Sequence, residues 1–161
     1  MYVPEVIKAE SAGSLRRGKE TIGDLDFLVA TEAPEAVMAV FRALPDVTEV
    51  LLSGKSKTSV RLSSGLQADL RCFEPQHWGT ALQYFTGSQS HNVKIRQFAQ
   101  KQGYSLNEYA LTREQDEKQF LFSTETELYQ FLGLTFIPAH LRENSGEVEA
   151  ALAGQLPAPL T

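Results

Sequence analysis

The stretch Asp24-Leu25-Asp26-Phe27-Leu28-Val29-Ala30 constrains the fold of this chain more than any other. Leu25, Phe27 and Val29 alternate with Asp24, Asp26 and Leu28, and residues two apart on a strand share a face. The spacing predicts a strand over Asp24–Ala30 with two chemically different faces, one of them holding both carboxylates. Like charges so placed repel, and each raises the other's pKa. A divalent cation between them would remove the conflict, and oxygen-only ligands with room for water suit Mg²⁺ or Mn²⁺. Asp-x-Asp pairs are also common on solvated strands and turns, so the pair alone leaves both meanings open.

Around this strand the pattern predicts a sheet. Glu5–Ser11 is expected to form a strand running into a tight turn at Ala12-Gly13-Ser14. Pro34 suits the first turn of a helix that carries Val37, Val40, Phe41 and Leu44 at helical spacing and ends before Pro45. Val47–Leu52, Thr58–Leu62 and Leu66–Phe73 have strand character, separated by Ser53-Gly54-Lys55 and Ser63-Ser64-Gly65. Beyond Pro75 the pattern turns helical, over Gln76–Phe85 and Ser88–Gln102. A short hairpin over Tyr104–Phe122 follows, and Thr124–Glu127 is a cap signature opening another helix. The expectation is an α+β fold: a palm over 1–75, with a mixed β-sheet and flanking helices, then a mostly helical thumb with a small β-hairpin over 76–161.

No apolar run approaches the ~20 residues that a membrane-crossing helix needs, and no secretory leader pattern opens the chain. The single cysteine, Cys72, has no partner for an intramolecular disulfide. These features lead to the expectation of an intracellular, cytoplasmic protein without a membrane partner. The formal net charge is −5, unfavourable at first sight for binding a polyanion. Twelve basic residues face eleven acidic ones up to Tyr104, however, against three and nine from Ser105 onward, so the acidity belongs to the C-terminal third.

Two further features join the carboxylate pair. Asp69 and Arg71 alternate with Leu66, Ala68, Leu70 and Cys72, so they project away from that apolar row. If their strand lies beside Asp24–Ala30, three carboxylates converge, as two-metal phosphoryl transfer requires. Upstream, Gly13-Ser14 is followed by Arg16, Arg17, Gly18 and Lys19. Glycine permits close backbone approach, serine offers a hydroxyl and arginine a forked donor for phosphate oxygens. An exposed basic loop is the plainer meaning of Arg-Arg-Gly-Lys, but here the candidate phosphate cradle precedes the carboxylate pair by about ten residues.

The run from Gly13-Ser14-Leu15-Arg16-Arg17-Gly18-Lys19 through Glu20-Thr21-Ile22 to Gly23-Asp24-Leu25-Asp26 resembles the catalytic motif of family X DNA polymerases. Ala68-Asp69-Leu70-Arg71 is similar to the strand bearing that family's third aspartate. Tyr84-Phe85-Thr86-Gly87-Ser88 and Gly103-Tyr104-Ser105-Leu106-Asn107-Glu108-Tyr109 resemble its thumb. His91-Asn92 and the segment Ile137-Pro138-Ala139-His140-Leu141-Arg142-Glu143-Asn144 resemble the bacterial and archaeal branch. The resemblance implies a DNA-repair polymerase that adds nucleotides from dNTPs to the 3′-hydroxyl of primer–template or gapped DNA.

Two Mg²⁺ ions, replaceable by Mn²⁺, would be held by Asp24, Asp26 and Asp69. Gly13, Ser14, Arg17 and Gly23 would hold the triphosphate. Tyr84, Phe85, Gly87 and Asn92 would line the sugar and base pocket, and Arg71, Lys94 and Arg96 would meet DNA.

The resemblance begins at the first palm strand, so an excised palm–thumb unit or a minimal polymerase is expected. The unit is expected to lack lyase, fingers and histidine-rich phosphoesterase domains. Gln67 and Val93 stand where many relatives carry basic residues. Without the motif Tyr84 and Phe85 read first as core aromatics, Asn92, Arg96 and Lys101 as a solvated helix face, and Arg113–Lys118 as a hairpin tip. His77 and Trp78 receive no catalytic role. The competing functions are a small nucleotidyltransferase with a non-DNA acceptor and a DNA-binding module with residual activity.

Overall fold

Strand β2 (Asp24–Ala30) organises the molecule, as its alternation requires. The computed structural model describes residues 3–19 and 23–156. Glu20, Thr21 and Ile22 of the motif run, and both chain ends, lie outside the described residues. On one side β2 pairs antiparallel with β1 (Lys8–Ala12). On the other it pairs parallel with β5 (Gln67–Phe73). Strands β3 (Val47–Ser53) and β4 (Lys57–Leu62) complete a five-stranded mixed sheet of order β1-β2-β5-β4-β3.

The two faces of β2 divide the core between them. Leu28 and Ala30 join Ala12 and Phe73 beneath Trp78, Ala81 and Leu82 of helix α3 (Trp78–Thr86). Val29, with Leu70 and Cys72 of β5, packs on Val37 and Met38 of helix α2 (Pro34–Arg42). Proline begins α2, where its missing N–H costs nothing. Thr31 Oγ1 accepts from Ala33 N at 2.9 Å at the same end. Burial pushes the Cys72 thiol up to about 11, which suits an inert core residue.

Past Gly87, helix α4 (Gln89–Lys101) starts on Ser88, whose hydroxyl accepts from His91 N. A small sheet follows, of β6 (Tyr104–Leu106), β7 (Leu111–Arg113) and β8 (Gln119–Phe120), and then helix α5 (Glu125–Phe131). Thr124 caps α5 by accepting from Glu127 N, as the sequence signature predicts. Ile95, Leu111, Leu128, Tyr129 and Ile137 centre the core of this half. Gly79 lets α3 lie directly on the start of α5, because a Cβ there would stand 2.3 Å from the Thr124 carbonyl carbon.

The architecture is α+β, as expected, and four local details differ. The first strand begins at Lys8 rather than Glu5, because Pro4 and Glu5 form a turn closed by Val6 N donating to Val3 O. The tight turn at Gly13 is a one-turn helix, α1 (Gly13–Arg16), with Arg17 N donating to Gly13 O. The hairpin is three-stranded: Asn107 Oδ1 accepts from Tyr109 N and Ala110 N, folding a second turn that pairs β6 with β7. Helix α6 (Glu147–Leu152) lacks any sequence expectation; it starts on Gly146, and Glu147 itself accepts from Asn144 N and Ser145 N.

Candidate active site

Parallel pairing of β2 with β5 sets Asp26 directly beside Asp69 and Asp24 beside Gln67. Asp69 is buried, and its Oδ1 accepts from Gln67 Nε2 at 3.0 Å. Asp26 Oδ1 accepts from Arg71 Nη1 at 3.4 Å. Burial raises the Asp26 carboxyl above the usual range; the Arg71 charge opposes this, and Asp69 and then Asp24 push it further up. The structure therefore closes two of the three expected carboxylates into a pair. Asp24 stands on the same face, exposed at the first residue of the strand.

Among the described residues no three acidic, imidazole or thiol side chains stand close enough to ligate one ion. The donor set nevertheless fits a hard divalent cation. It is oxygen-only, and although burial does most to lift Asp26, a cation between the carboxylates would relieve the repulsion that Asp69 and Asp24 add.

Beside the pair, the chain leaves β1 through Gly13, whose φ of +60° is the left-handed conformation that glycine adopts freely. A Cβ here would lie 2.6 Å from Asp26 Oδ2, so glycine is also required by the approach of the carboxylate. The turn then presents Ser14 and Arg17 to a cleft of about 510 Å³ whose floor includes Asp26. The C-terminal end of α3 supplies Tyr84, Phe85, Thr86 and Gly87 to the opposite wall, and α4 adds Gln89, Asn92 and Arg96. Seven of the eight residues expected to bind nucleotide thus line one cleft. Gly23, the eighth, is exposed before β2 and outside the lining.

The cleft wall is braced by its own polar groups. Arg17 Nη1 donates to Thr86 O at 2.6 Å, and Arg17 Nε lies 2.8 Å from Glu143 Oε1 without the alignment of a hydrogen bond. Lys19 pairs with the other oxygen of Glu143. Asn92 donates to Tyr84 O and accepts from Gln83 Nε2, which locks α3 to α4. Tyr84 and Phe85 are half-buried: both line the cleft, and Phe85 also packs on the core and carries the Arg71 guanidinium 4.3 Å above its ring. Among the residues expected to meet DNA, Arg96 reaches the cleft, Arg71 is held at Asp26 and Lys94 pairs with Glu149 outside the cleft.

Sequence reasoning missed the support beneath this wall. Glu125, buried at the start of α5, accepts from Arg16 Nη1 and Nη2 at 2.8 and 2.5 Å and from Arg142 Nη1 at 2.6 Å. Arg16 also donates to Thr86 Oγ1, tying the Gly13–Arg17 turn to the wall opposite. Burial alone would raise the Glu125 carboxyl, but the hydrogen bonds and charges of the two arginines outweigh it and hold it below the usual range. Arg142 lies within a segment that the resemblance had picked out, and Glu125 follows the cap residue Thr124. No local pattern joins residues 109 apart in sequence.

Comparison with known proteins agrees with this arrangement. Residues 81–143 match the family model described as DNA polymerase beta thumb. The chain is 39% identical over 146 residues to the DNA polymerase/3′-5′ exonuclease PolX of Bacillus subtilis, covering 89% of this chain and 26% of that protein. It is 28% identical over 135 residues to the repair DNA polymerase X of an African swine fever virus isolate from South Africa, covering 78% and 76%. It is 29% identical over 120 residues to DNA polymerase lambda of Rattus norvegicus, covering 63% and 21%. The chain thus spans about a quarter of the bacterial relative and three quarters of the viral one. Residues 81–143 thus match the DNA polymerase beta thumb, and over most of its length the chain is similar to DNA polymerases named X.

Proposed function

We propose that this chain adds deoxynucleotides from dNTPs to the 3′-hydroxyl of a DNA primer. The observation that carries the proposal is the single cleft that joins Ser14 and Arg17 to Tyr84 and Phe85 across a floor containing Asp26, with Asp69 in register beside it. The Ser14 hydroxyl and the Arg17 guanidinium, which line the cleft, would donate to the triphosphate, and a cation on the carboxylates would offset its charge. The half-buried faces of Tyr84 and Phe85 receive the sugar and base. Asp24, Asp26 and Asp69 would hold Mg²⁺, with Mn²⁺ as a substitute, which would supply charge neutralisation at the phosphates and acidify the attacking hydroxyl. Arg96 at the cleft mouth, with Lys55, Lys57 and Lys101, would meet the DNA phosphates.

The test is extension of a labelled primer across a gapped duplex with all four dNTPs and Mg²⁺ or Mn²⁺. Template-directed addition supports the proposal. Transfer to a small molecule, RNA or protein without extension would assign the site to a different nucleotidyltransferase.

A further inference from the structure

We infer that Ser59 is a positioning residue for Asp69, its hydroxyl holding the carboxylate in the attitude that faces Asp26. The inference rests on the proposed role of Asp69 and extends the site by one strand. In β4, Ser59 stands directly opposite Asp69 in the antiparallel register, just as Asp26 stands beside Asp69 on the other flank. The three form one row across β2, β5 and β4, and directly paired residues raise their side chains from the same face of a sheet.

Ser59 is 3% exposed and Asp69 6%. The Ser59 hydroxyl is wholly buried and has no hydrogen-bond partner among the described residues. A buried hydroxyl is normally satisfied, and here the group across the strand is a carboxylate with acceptor capacity to spare. Among the described residues Asp69 Oδ1 takes one bond, from Gln67, and its other lone pairs accept none. Ser59 Oγ makes no bond to Asp69 in this structure; a rotamer change about its one side-chain torsion would turn the hydroxyl toward the facing carboxylate.

Among the described residues two other buried hydroxyls also lack partners, and neither has this setting. Thr58 opposes Leu70, on the face that packs against α2, and Thr80 lies within α3. Ser59 alone among them opposes an acid. By fixing one side of the Asp69 carboxylate it leaves the other for Asp26 and a shared cation. Residues that orient a metal-binding carboxylate typically contribute 10- to 100-fold to metal affinity or activity.

The test compares Ser59→Ala and Ser59→Thr with wild type by steady-state primer extension, thermal melting and Mn²⁺ titration followed by electron paramagnetic resonance. Ser59→Ala is expected to lose about tenfold or more in kcat and in Mn²⁺ affinity. The KM for dNTP should stay within about twofold, and the melting temperature should fall by no more than about 2–4 °C, the worth of one hydrogen bond. Ser59→Thr, which keeps the hydroxyl, should recover most of the loss.

Values of kcat and Mn²⁺ affinity within about twofold of wild type for Ser59→Ala would overturn the inference. So would a loss that tracks a lowered melting temperature and is not repaired by threonine. Absence of extension by the wild type would instead sink the proposed function. The Mn²⁺ titration then decides Ser59 by itself: a tenfold weakening upholds the inference and unchanged affinity overturns it.

Discussion

Replacing Glu125 with alanine removes the carboxylate that pairs with both Arg16 and Arg142. Its side chain is 5% exposed, Arg142 is wholly buried and Arg16 is 18% exposed, so solvent compensates little for its loss. Breaking a buried pair by deleting one partner costs about 3–5 kcal/mol, because the remaining charge stays desolvated. Two arginines are stranded here, which places the cost toward the upper end of that range. For a chain of this length, 1 kcal/mol shifts the melting temperature by roughly 2–4 °C, so the expected fall is about 6–20 °C.

Arg16→Met should cost distinctly less, since Glu125 then keeps Arg142. Circular-dichroism melts and urea titrations of the two variants measure the difference. A loss below about 1 kcal/mol for Glu125→Ala, or a larger loss for Arg16→Met, would refute the claim that Glu125 is the hub joining the cradle turn, α5 and the Arg142 segment.

Arg17→Ala should lower kcat/KM for dNTP about 10- to 100-fold, the worth of a charge-assisted hydrogen bond to phosphate, as measured by extension at varied nucleotide concentration. His91 is buried with Nδ1 facing Glu147 and Nε2 facing Tyr129, and Arg142 and Glu143 also act on it. Burial, outweighing the Glu147 hydrogen bond, lowers its pKa, so the folded protein keeps it neutral where the unfolded chain protonates it. The sign follows from linkage: stability falls as pH drops below about 6.5, at up to about 1.4 kcal/mol per pH unit, and denaturant midpoints of His91→Gln should show a flatter profile there. Binding of labelled primer–template, followed by anisotropy across a salt series, should give a log–log slope no steeper than about −5, because Arg71 and Lys94 already spend their charge on Asp26 and Glu149.

Much of this molecule is written in short-range pattern. The alternation in Asp24–Ala30 places the strand and both of its faces, and Pro34, Gly87 and Thr124 mark helix ends that the structure keeps. The residues expected to bind nucleotide could be picked out because Gly13-Ser14 and Tyr84-Phe85 sit in recognisable motifs, and seven of the eight line one cleft. Pairing was not legible. Nothing local to β2 says that its parallel neighbour is β5, two strands later than the next in sequence, and that choice alone puts Asp26 beside Asp69. The Arg16–Glu125–Arg142 network was equally hidden, because its members are ordinary surface residue types whose burial is decided by tertiary packing. Ser59 belongs with them: its significance is its register opposite Asp69, which only the assembled sheet reveals.

The central claim is that the Asp26–Asp69 pair carries nucleotidyl transfer in the cleft. Single-turnover primer extension by Asp69→Ala, with dNTP binding and thermal melting measured on the same preparation, tests it most directly. The account predicts that extension is nearly abolished, while the melting temperature and much of the dNTP affinity remain, because the cradle of Ser14 and Arg17 is untouched and Asp24 and Asp26 are still present. Extension at a rate close to wild type would contradict it.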